Sequence, residues 1–213
     1  MKRCYLVRHA QTIWNGENRI QGHSDLPLSP LGQQQAERLA RRFASHHLRG
    51  IFTSGLLRSR QTAASIASGN GHGVQPVIEP DLAEMHLGAW EGLTPEEVDA
   101  QFQNAYAQWR RAPSSVIIPG AEPVDGFRAR VRQALEKVLA GAGDGEYVIV
   151  SHGGVIAALL ADLVGADYDA VLRRVRLDNA GVTALEFGTG LPHVLWINST
   201  THLDGHPVPG GWF

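Results

Sequence analysis

Three short apolar runs, each followed further along the chain by a pattern typical of a helix, most constrain how this chain can fold. The runs are CYLV (4–7), GIFTS (50–54) and YVIVS (147–151). Strands that are apolar throughout are buried on both faces, and strands that alternate with helices form a parallel sheet. We therefore predict an α/β fold, a three-layer sandwich with a mostly parallel central sheet covered by helices on both faces.

The connecting segments carry helix-start and hairpin signals. A serine followed by a proline predicts a helix from about 30 to 47. The sequence TPEE at Thr94 is a capping box and predicts a helix that continues to about Arg110. The runs VTALEF and HVLWIN flank GTGLP and predict a closing β-hairpin.

Composition excludes several classes of function. The formal net charge of −2 gives no general basicity, so we expect no nucleic-acid partner. Cys4 is the only cysteine, which excludes an internal disulfide and a cysteine-based zinc site. The longest apolar stretch, 153–166, is too short for a membrane span and contains Asp162. Too few apolar residues precede Arg8 for a signal peptide, and we expect a cytoplasmic protein without a membrane partner.

Residues suited to binding an anion follow three of the predicted strands. Arg8 and His9 follow the first strand, Arg58 follows the second, and His152 and Gly153 follow the third. Ligands of open α/β sheets collect beyond the carboxyl ends of the strands. Arginine presents a planar fork to phosphate, and glycines at a helix start let free N–H groups approach an anion. Each feature alone is compatible with a polar surface or a tight turn, but together they predict a phosphate site.

Four segments resemble the signature motifs of a known family. In chain order they are LVRHAQT, TSGLLRSRQTA, EMHLGAWEG and SHGG, and INSTTHL near the end is a further match. They resemble the histidine phosphatase superfamily in its phosphoglycerate-mutase-like branch, which includes broad-specificity and alpha-ribazole phosphatases. The resemblance implies one domain over 1–213, with 86–125 as a helical and loop cap over the site.

The resemblance also implies a role for each catalytic position. His9 would be the nucleophile that takes the phosphoryl group as a phosphohistidine, and Arg8, Arg58 and His152 would bind the phosphoryl oxygens. Glu84 would protonate the leaving oxygen and then activate water. A neutral imidazole is a competent phosphoryl acceptor, so the second ring nitrogen of His9 should donate to a fixed acceptor such as a backbone carbonyl.

Three further residues and the absence of a cofactor complete the expected site. Asn15 would contact the phosphate, and Gln21 and Gly153 would line the same pocket. None of the ten histidines falls in HExxH or a similar ligand spacing, and a cationic clamp stabilises phosphoryl-transfer charge by itself. We therefore expect no metal and no cofactor.

The function predicted from these features is metal-independent hydrolysis of a small phosphorylated metabolite. A cofactor-dependent phosphoglycerate mutase is the first alternative, because the pair Arg110-Arg111 resembles a substrate-binding pair of the mutases. A protein that binds a phosphate ligand without catalysis is the second alternative, and a homodimer stays open. Gly55 in place of proline and the loop Gly120-Ala121-Glu122-Pro123 depart from the family pattern and leave the substrate undetermined.

Overall fold

Six strands form one mixed sheet in the computed structural model, which describes residues 1–203. The order across the sheet is β3-β2-β4-β1-β5-β6. Neighbours among β3, β2, β4 and β1 pair in parallel, whereas β5 and β6 join the β1 edge as an antiparallel hairpin. The strands are β1 (Lys2–Arg8), β2 (Leu48–Thr53), β3 (Pro76–Ile78), β4 (Gly145–Ser151), β5 (Val182–Phe187) and β6 (His193–Ser199).

Eight α-helices accompany the sheet within the described residues. They are α1 (Ile13–Gly16), α2 (Pro30–Phe43), α3 (Leu57–Asn70), α4 (Pro95–Gln101), α5 (Ala105–Trp109), α6 (Val124–Ala140), α7 (Gly153–Val164) and α8 (Tyr168–Arg174). None of the helices in residues 1–203 is long and apolar enough to cross a membrane.

Alternation along the central strand divides the core into two layers. Leu6 of β1 packs in the layer that contains Phe127 of α6 and most of α7. Val7, the next residue, packs in the layer that contains Leu39 of α2 and Ile66 of α3. Successive side chains of a strand point to opposite faces, so a strand buried on both sides must be apolar throughout. This arrangement confirms the predicted α/β sandwich and the predicted hairpin.

Two predicted elements differ from the structure, and one strand was not predicted. The helix predicted to 47 ends at Phe43, because the chain must turn to begin β2 at Leu48. The helix predicted to Arg110 is instead the pair α4 and α5, since Gln103 and Asn104 adopt left-handed backbone conformations that interrupt it. The predictions also omitted β3, whose three residues carry no alternating pattern long enough to detect.

The single domain over 1–213 with a cap at 86–125 stays a prediction. Its last ten positions, 204–213, lie outside the described residues. Within the described part, the segment 86–125 contains α4, α5 and two short 3-10 helices, Gly88–Trp90 and Pro113–Ser115.

Candidate active site

The three strand ends singled out in the sequence are neighbours in space. Arg8 at the end of β1 pairs with Ser151 at the end of β4, and Thr53 at the end of β2 pairs with Val150. Because the three strands are adjacent and parallel, the residues that follow them lie at one edge of the sheet. Arg8, His9, Arg58, Glu84 and His152 are all at least 96 % buried there, so their charges interact with little screening by water.

His9 is held in an orientation that suits a nucleophile. Its Nδ1 lies 2.8 Å from the carbonyl oxygen of Ala10. A carbonyl only accepts hydrogen bonds, so Nδ1 carries the proton and Nε2 keeps its lone pair. This hydrogen bond is the one that the role predicted for His9 requires. Burial first, then the Arg58 and Arg8 charges, hold the pKa of His9 well below its usual value, which keeps the ring neutral.

His152 lies beside His9, with the two ring centroids 5.1 Å apart. Its Nε2 is 2.7 Å from the hydroxyl oxygen of Ser54, while Nδ1 is buried without a hydrogen-bond partner among the described residues. Burial and the nearby charge of Arg58 hold the pKa of His152 well below its usual value. The ring is therefore neutral in this structure.

Two buried arginines supply the positive charge of the site. Arg58 donates to the carbonyl oxygens of Gly22 and Ser24, both at 2.8 Å, and these bonds fix the plane of its guanidinium. Burial lowers the pKa of Arg58 to about 10, and burial likewise lowers the pKa of Arg8. Both arginines remain cationic at neutral pH. Two desolvated cations close to two neutral imidazoles form a local positive field inside a nearly neutral protein.

Unsatisfied buried nitrogens point to the kind of ligand that this field accepts. Besides His152 Nδ1, they include Arg58 Nε and Gln21 Nε2, which have no hydrogen-bond partner within the described part of the chain. A buried donor without an acceptor is costly, and donors next to cations favour an oxyanion. The arrangement is therefore suited to a phosphate group, whose oxygens can accept several hydrogen bonds.

Glu84 brings one carboxylate to the same edge from the segment after a short 3-10 helix (Pro80–Leu82). Its Oε1 accepts from the backbone N–H of Met85 at 2.9 Å, and its Oε2 accepts from the N–H of Gly154 at 3.0 Å. A Cβ on Gly154 would lie 2.4 Å from Oε1, so the carboxylate fits only because this position is glycine. The first turn of α7, which begins directly after His152, thus positions the Glu84 carboxylate.

The three predicted pocket residues also lie at this edge. Gln21 and Asn15 are buried, and both are linked to the hydroxyl of Thr12, with Gln21 Oε1 at 2.9 Å and Asn15 Oδ1 at 3.1 Å. A Cβ built on Gly153 would lie 3.6 Å from the Arg8 guanidinium carbon, which is ordinary van der Waals contact and places Gly153 beside Arg8. The structure brings all eight predicted residues together, but their roles in binding and catalysis stay predictions.

Sequence reasoning missed residues that support the site. Ser54 orients His152, and Asn179 donates to the backbone oxygen of His9 at 3.0 Å. Arg130 donates to the backbone oxygen of Glu84 at 2.8 Å. Ser54 could have been noticed, because it lies inside the second motif. Asn179 and Arg130 carry no local signal, since their partners are 170 and 46 positions away along the chain.

A metal site would need several ligating side chains close together. Among residues 1–203, no group of three or more histidine, cysteine, aspartate or glutamate side chains is arranged to hold a metal ion.

Comparison with known proteins assigns the family. The family model described as histidine phosphatase superfamily (branch 1) matches residues 4–200. The chain belongs to this superfamily. The match spans every residue of the candidate site, from Arg8 to Gly153.

Members of the superfamily with similar sequences or structures have different stated functions. A probable phosphoglycerate mutase from Yersinia enterocolitica is 35% identical over 88% of this chain and 86% of its own length. The structure of YhfR from Bacillus stearothermophilus matches with a TM-score of 0.88 and 30% identity, covering 95% of this chain and 99% of that one. A mycobacterial glucosyl-3-phosphoglycerate phosphatase, solved with VO3, has a TM-score of 0.82 and 30% identity over 93% of this chain and 100% of its own.

Proposed function

We propose that this protein hydrolyses phosphate monoesters of small metabolites through a phosphohistidine on His9. The observation that carries the proposal is the hydrogen bond from His9 Nδ1 to the Ala10 carbonyl. It leaves the Nε2 lone pair available, in a buried site that also contains Arg8 and Arg58. A neutral nucleophile among fixed cations is the arrangement that phosphoryl transfer requires.

In the first step His9 Nε2 attacks the phosphorus atom and the bond from phosphorus to the ester oxygen breaks. Glu84, in its acid form, gives its proton to the departing oxygen, which leaves as an alcohol. Arg8 and Arg58 stabilise the negative charge that spreads over the three equatorial oxygens. These cations are already oriented by the protein, so little reorganisation is needed as charge develops.

In the second step water attacks the phosphorus atom and the N–P bond breaks. The Glu84 carboxylate takes a proton from that water, which returns Glu84 to its acid form and His9 to its neutral form. His152 donates from its ring to a phosphoryl oxygen throughout. The bound anion favours the charged form of His152, opposing the burial that depresses its pKa in the free protein.

A groove that begins one residue after Glu84 has apolar walls, which suit a substrate with a partly apolar leaving group. The groove has a volume of about 550 Å³ and begins at Met85, the neighbour of Glu84. Its walls come from the segment 114–125 and include Val116, Ile117 and Ile118. The described residues that line the groove include two acidic ones, Glu122 and Asp125, and neither lysine nor arginine. The charge of Glu122 is compensated by its ion pair with Arg130, so the wall is mainly apolar in character.

The mutase alternative is favoured by the names of several relatives from Yersinia species, which are probable phosphoglycerate mutases. The position of Arg110, which belongs to the pair that resembles a substrate-binding pair of the mutases, does not support this alternative. Arg110 caps the carboxyl end of α5 and lines a small cavity with Tyr106, Trp109, Leu172 and Arg173, apart from the eight predicted site residues. A cation at a helix carboxyl end is stabilised by the helix dipole without any substrate. We therefore place water ahead of a sugar-acid hydroxyl as the phosphoryl acceptor.

The test uses purified protein with p-nitrophenyl phosphate and with 3-phosphoglycerate. We expect release of inorganic phosphate from p-nitrophenyl phosphate and an acid-labile phosphoenzyme after a rapid quench, both abolished in His9→Ala. Interconversion of 2- and 3-phosphoglycerate that outpaces phosphate release would contradict hydrolysis and favour the mutase. Binding of phosphate without turnover or phosphoenzyme would favour the non-catalytic alternative.

A further inference from the structure

Arg130 of α6 uses every N–H of its guanidinium on one loop of the candidate site and on one carboxylate. Its Nη1 donates to the carbonyl oxygens of Asp81 and Ala83, both at 2.8 Å. Its Nη2 donates to the carbonyl oxygen of Glu84 at 2.8 Å and to Glu122 Oε1 at 2.6 Å, and its Nε donates to Glu122 Oε2 at 3.0 Å. Five donors are thus matched to five acceptors.

Glu122 completes the attachment from the opposite side of the loop. Its Oε1 also accepts from the backbone N–H of His86 at 2.9 Å. Burial alone would raise the pKa of Glu122, but the hydrogen bonds from Arg130 and from His86 outweigh it and lower the pKa. The ionised carboxylate and the guanidinium form a bidentate pair, which fixes orientation as well as distance. Arg130 and Glu122 together hold the segment 81–86 at three carbonyls and one N–H.

The carbonyl of Glu84 is held from a second direction as well. His23 Nε2 lies 2.7 Å from the same oxygen that accepts from Arg130 Nη2. The backbone of Glu84 therefore has both lone-pair directions of its carbonyl engaged. Its carboxylate in turn meets the N–H of Gly154 at 3.0 Å. Movement of this backbone by one ångström would take the carboxylate out of hydrogen-bond reach of a leaving oxygen.

We propose that Arg130, together with Glu122, is a positioning residue that holds the Glu84 loop so that the carboxyl reaches the leaving oxygen. The inference rests on the proposed function, in which Glu84 is the acid. Neither Arg130 nor Glu122 contacts the reacting atoms. Their effect passes through the backbone of residues 81–86.

The geometry requires arginine at this position. Lysine keeps the positive charge, but its ammonium has three donors and no planar fork, so it cannot satisfy three carbonyls and both carboxylate oxygens at once. Arg130→Lys therefore removes positioning while it preserves the charge of α6. A purely electrostatic role would survive this substitution, whereas a positioning role would not.

The experiment measures kcat/KM for an alkyl phosphate and for p-nitrophenyl phosphate, which has a good leaving group that needs no acid. General acid catalysis contributes roughly 10²–10⁴-fold. We expect Arg130→Lys to lower kcat/KM for the alkyl phosphate by roughly tenfold to a hundredfold, at or below the lower limit of that contribution, because the acid is displaced and not removed. We expect a change of less than about threefold for p-nitrophenyl phosphate. Glu122→Gln should show the same selectivity with a smaller loss.

Arg128→Lys is the matched control on the same helix. Arg128 pairs with Asp162 and lies over the ring of Tyr168, and it does not contact the Glu84 loop. Its substitution should leave the ratio of the two kcat/KM values unchanged. Hydrogen exchange of the peptide covering 81–86 supplies a readout besides activity. The rate of amide exchange in this peptide should rise in Arg130→Lys but not in Arg128→Lys.

The outcomes separate the two levels of the inference. Active wild-type protein with an equal loss on both esters in Arg130→Lys, or with no loss on either, overturns the positioning role and leaves the proposed function intact. Wild-type protein that hydrolyses neither ester and forms no phosphoenzyme overturns the proposed function, and the positioning role with it. Selective loss on the alkyl ester together with faster exchange of 81–86 supports the inference.

Discussion

Acidification from pH 7.5 to 5.5 should destabilise this protein because two histidines of the candidate active site are buried as neutral rings. The pKa values of His9 and His152 are lowered well below 6.5, mainly by burial and then by the charge of Arg58. In the unfolded chain both rings titrate near 6.5. Below that pH the two rings bind protons in the unfolded state but not in the folded state. The stability that they contribute is therefore present above pH 6.5 and is lost as the pH falls.

The magnitude follows from the unfolded-state titration alone. At pH 5.5, one unit below the unfolded pKa, each ring stabilises the unfolded state by about 1.4 kcal/mol, whereas at pH 7.5 the contribution is close to zero. The two rings together lower the free energy of unfolding by about 3 kcal/mol. For a chain of this size, that loss lowers the melting temperature by about 6 °C. His202, whose pKa burial lowers to about 4, adds a loss of the same sign.

Urea unfolding at both pH values, in a buffer without phosphate, measures this loss of stability. Two variants separate the contributions of the two rings. His9→Gln and His152→Gln should each reduce the difference between pH 7.5 and 5.5 by about 1.4 kcal/mol. Inorganic phosphate at saturating concentration should also reduce the difference in wild-type protein, since a bound anion favours a protonated His152. A difference that is the same in wild type and both variants would refute the claim that the rings are held neutral by their surroundings.

Two further predictions concern Glu84. Glu84→Gln should lower kcat/KM for alkyl phosphates by roughly 10²-fold or more and change p-nitrophenyl phosphate hydrolysis little, and equal losses in steady-state assays of both esters would argue against its role as an acid. Gly154→Ala should show the same selectivity, because the new Cβ would lie 2.4 Å from Glu84 Oε1 and displace the carboxylate. Its control is Gly126→Ala on α6, where no neighbouring atom lies within 4 Å; thermal melting should show stabilisation by about 0.5–1 kcal/mol with unchanged kinetics.

The sequence alone was sufficient for the elements whose signals are local. The strand that carries Arg8 and His9 was predicted because a buried parallel strand must be apolar on both faces. The starts of α2 and α4 were predicted because their caps, Ser29 and Thr94, bond to backbone N–H groups only three residues away. The edge where the ligand residues meet also followed from the sequence, since parallel strands end at the same side of a sheet.

Elements that depend on distant partners were predicted less well. The interruption between α4 and α5 requires two consecutive non-glycine residues, Gln103 and Asn104, in left-handed conformations, and only asparagine has a local tendency to adopt one. The end of α2 at Phe43 depends on where β2 must begin. A short strand such as β3 is defined mainly by its pairing with β2, because three residues carry too little pattern of their own.

The residues of the site were thus evident from the sequence, but the means by which they are held were not. Their positions after apolar strands singled out His9 and His152, and the resemblance alone singled out Glu84. The hydrogen bonds from Asn179 and Arg130 to the backbone at those positions join parts of the chain that are far apart in sequence. Only the folded chain brings such donors and acceptors within 3 Å, so the tertiary structure decides the orientation of the groups that the sequence supplies.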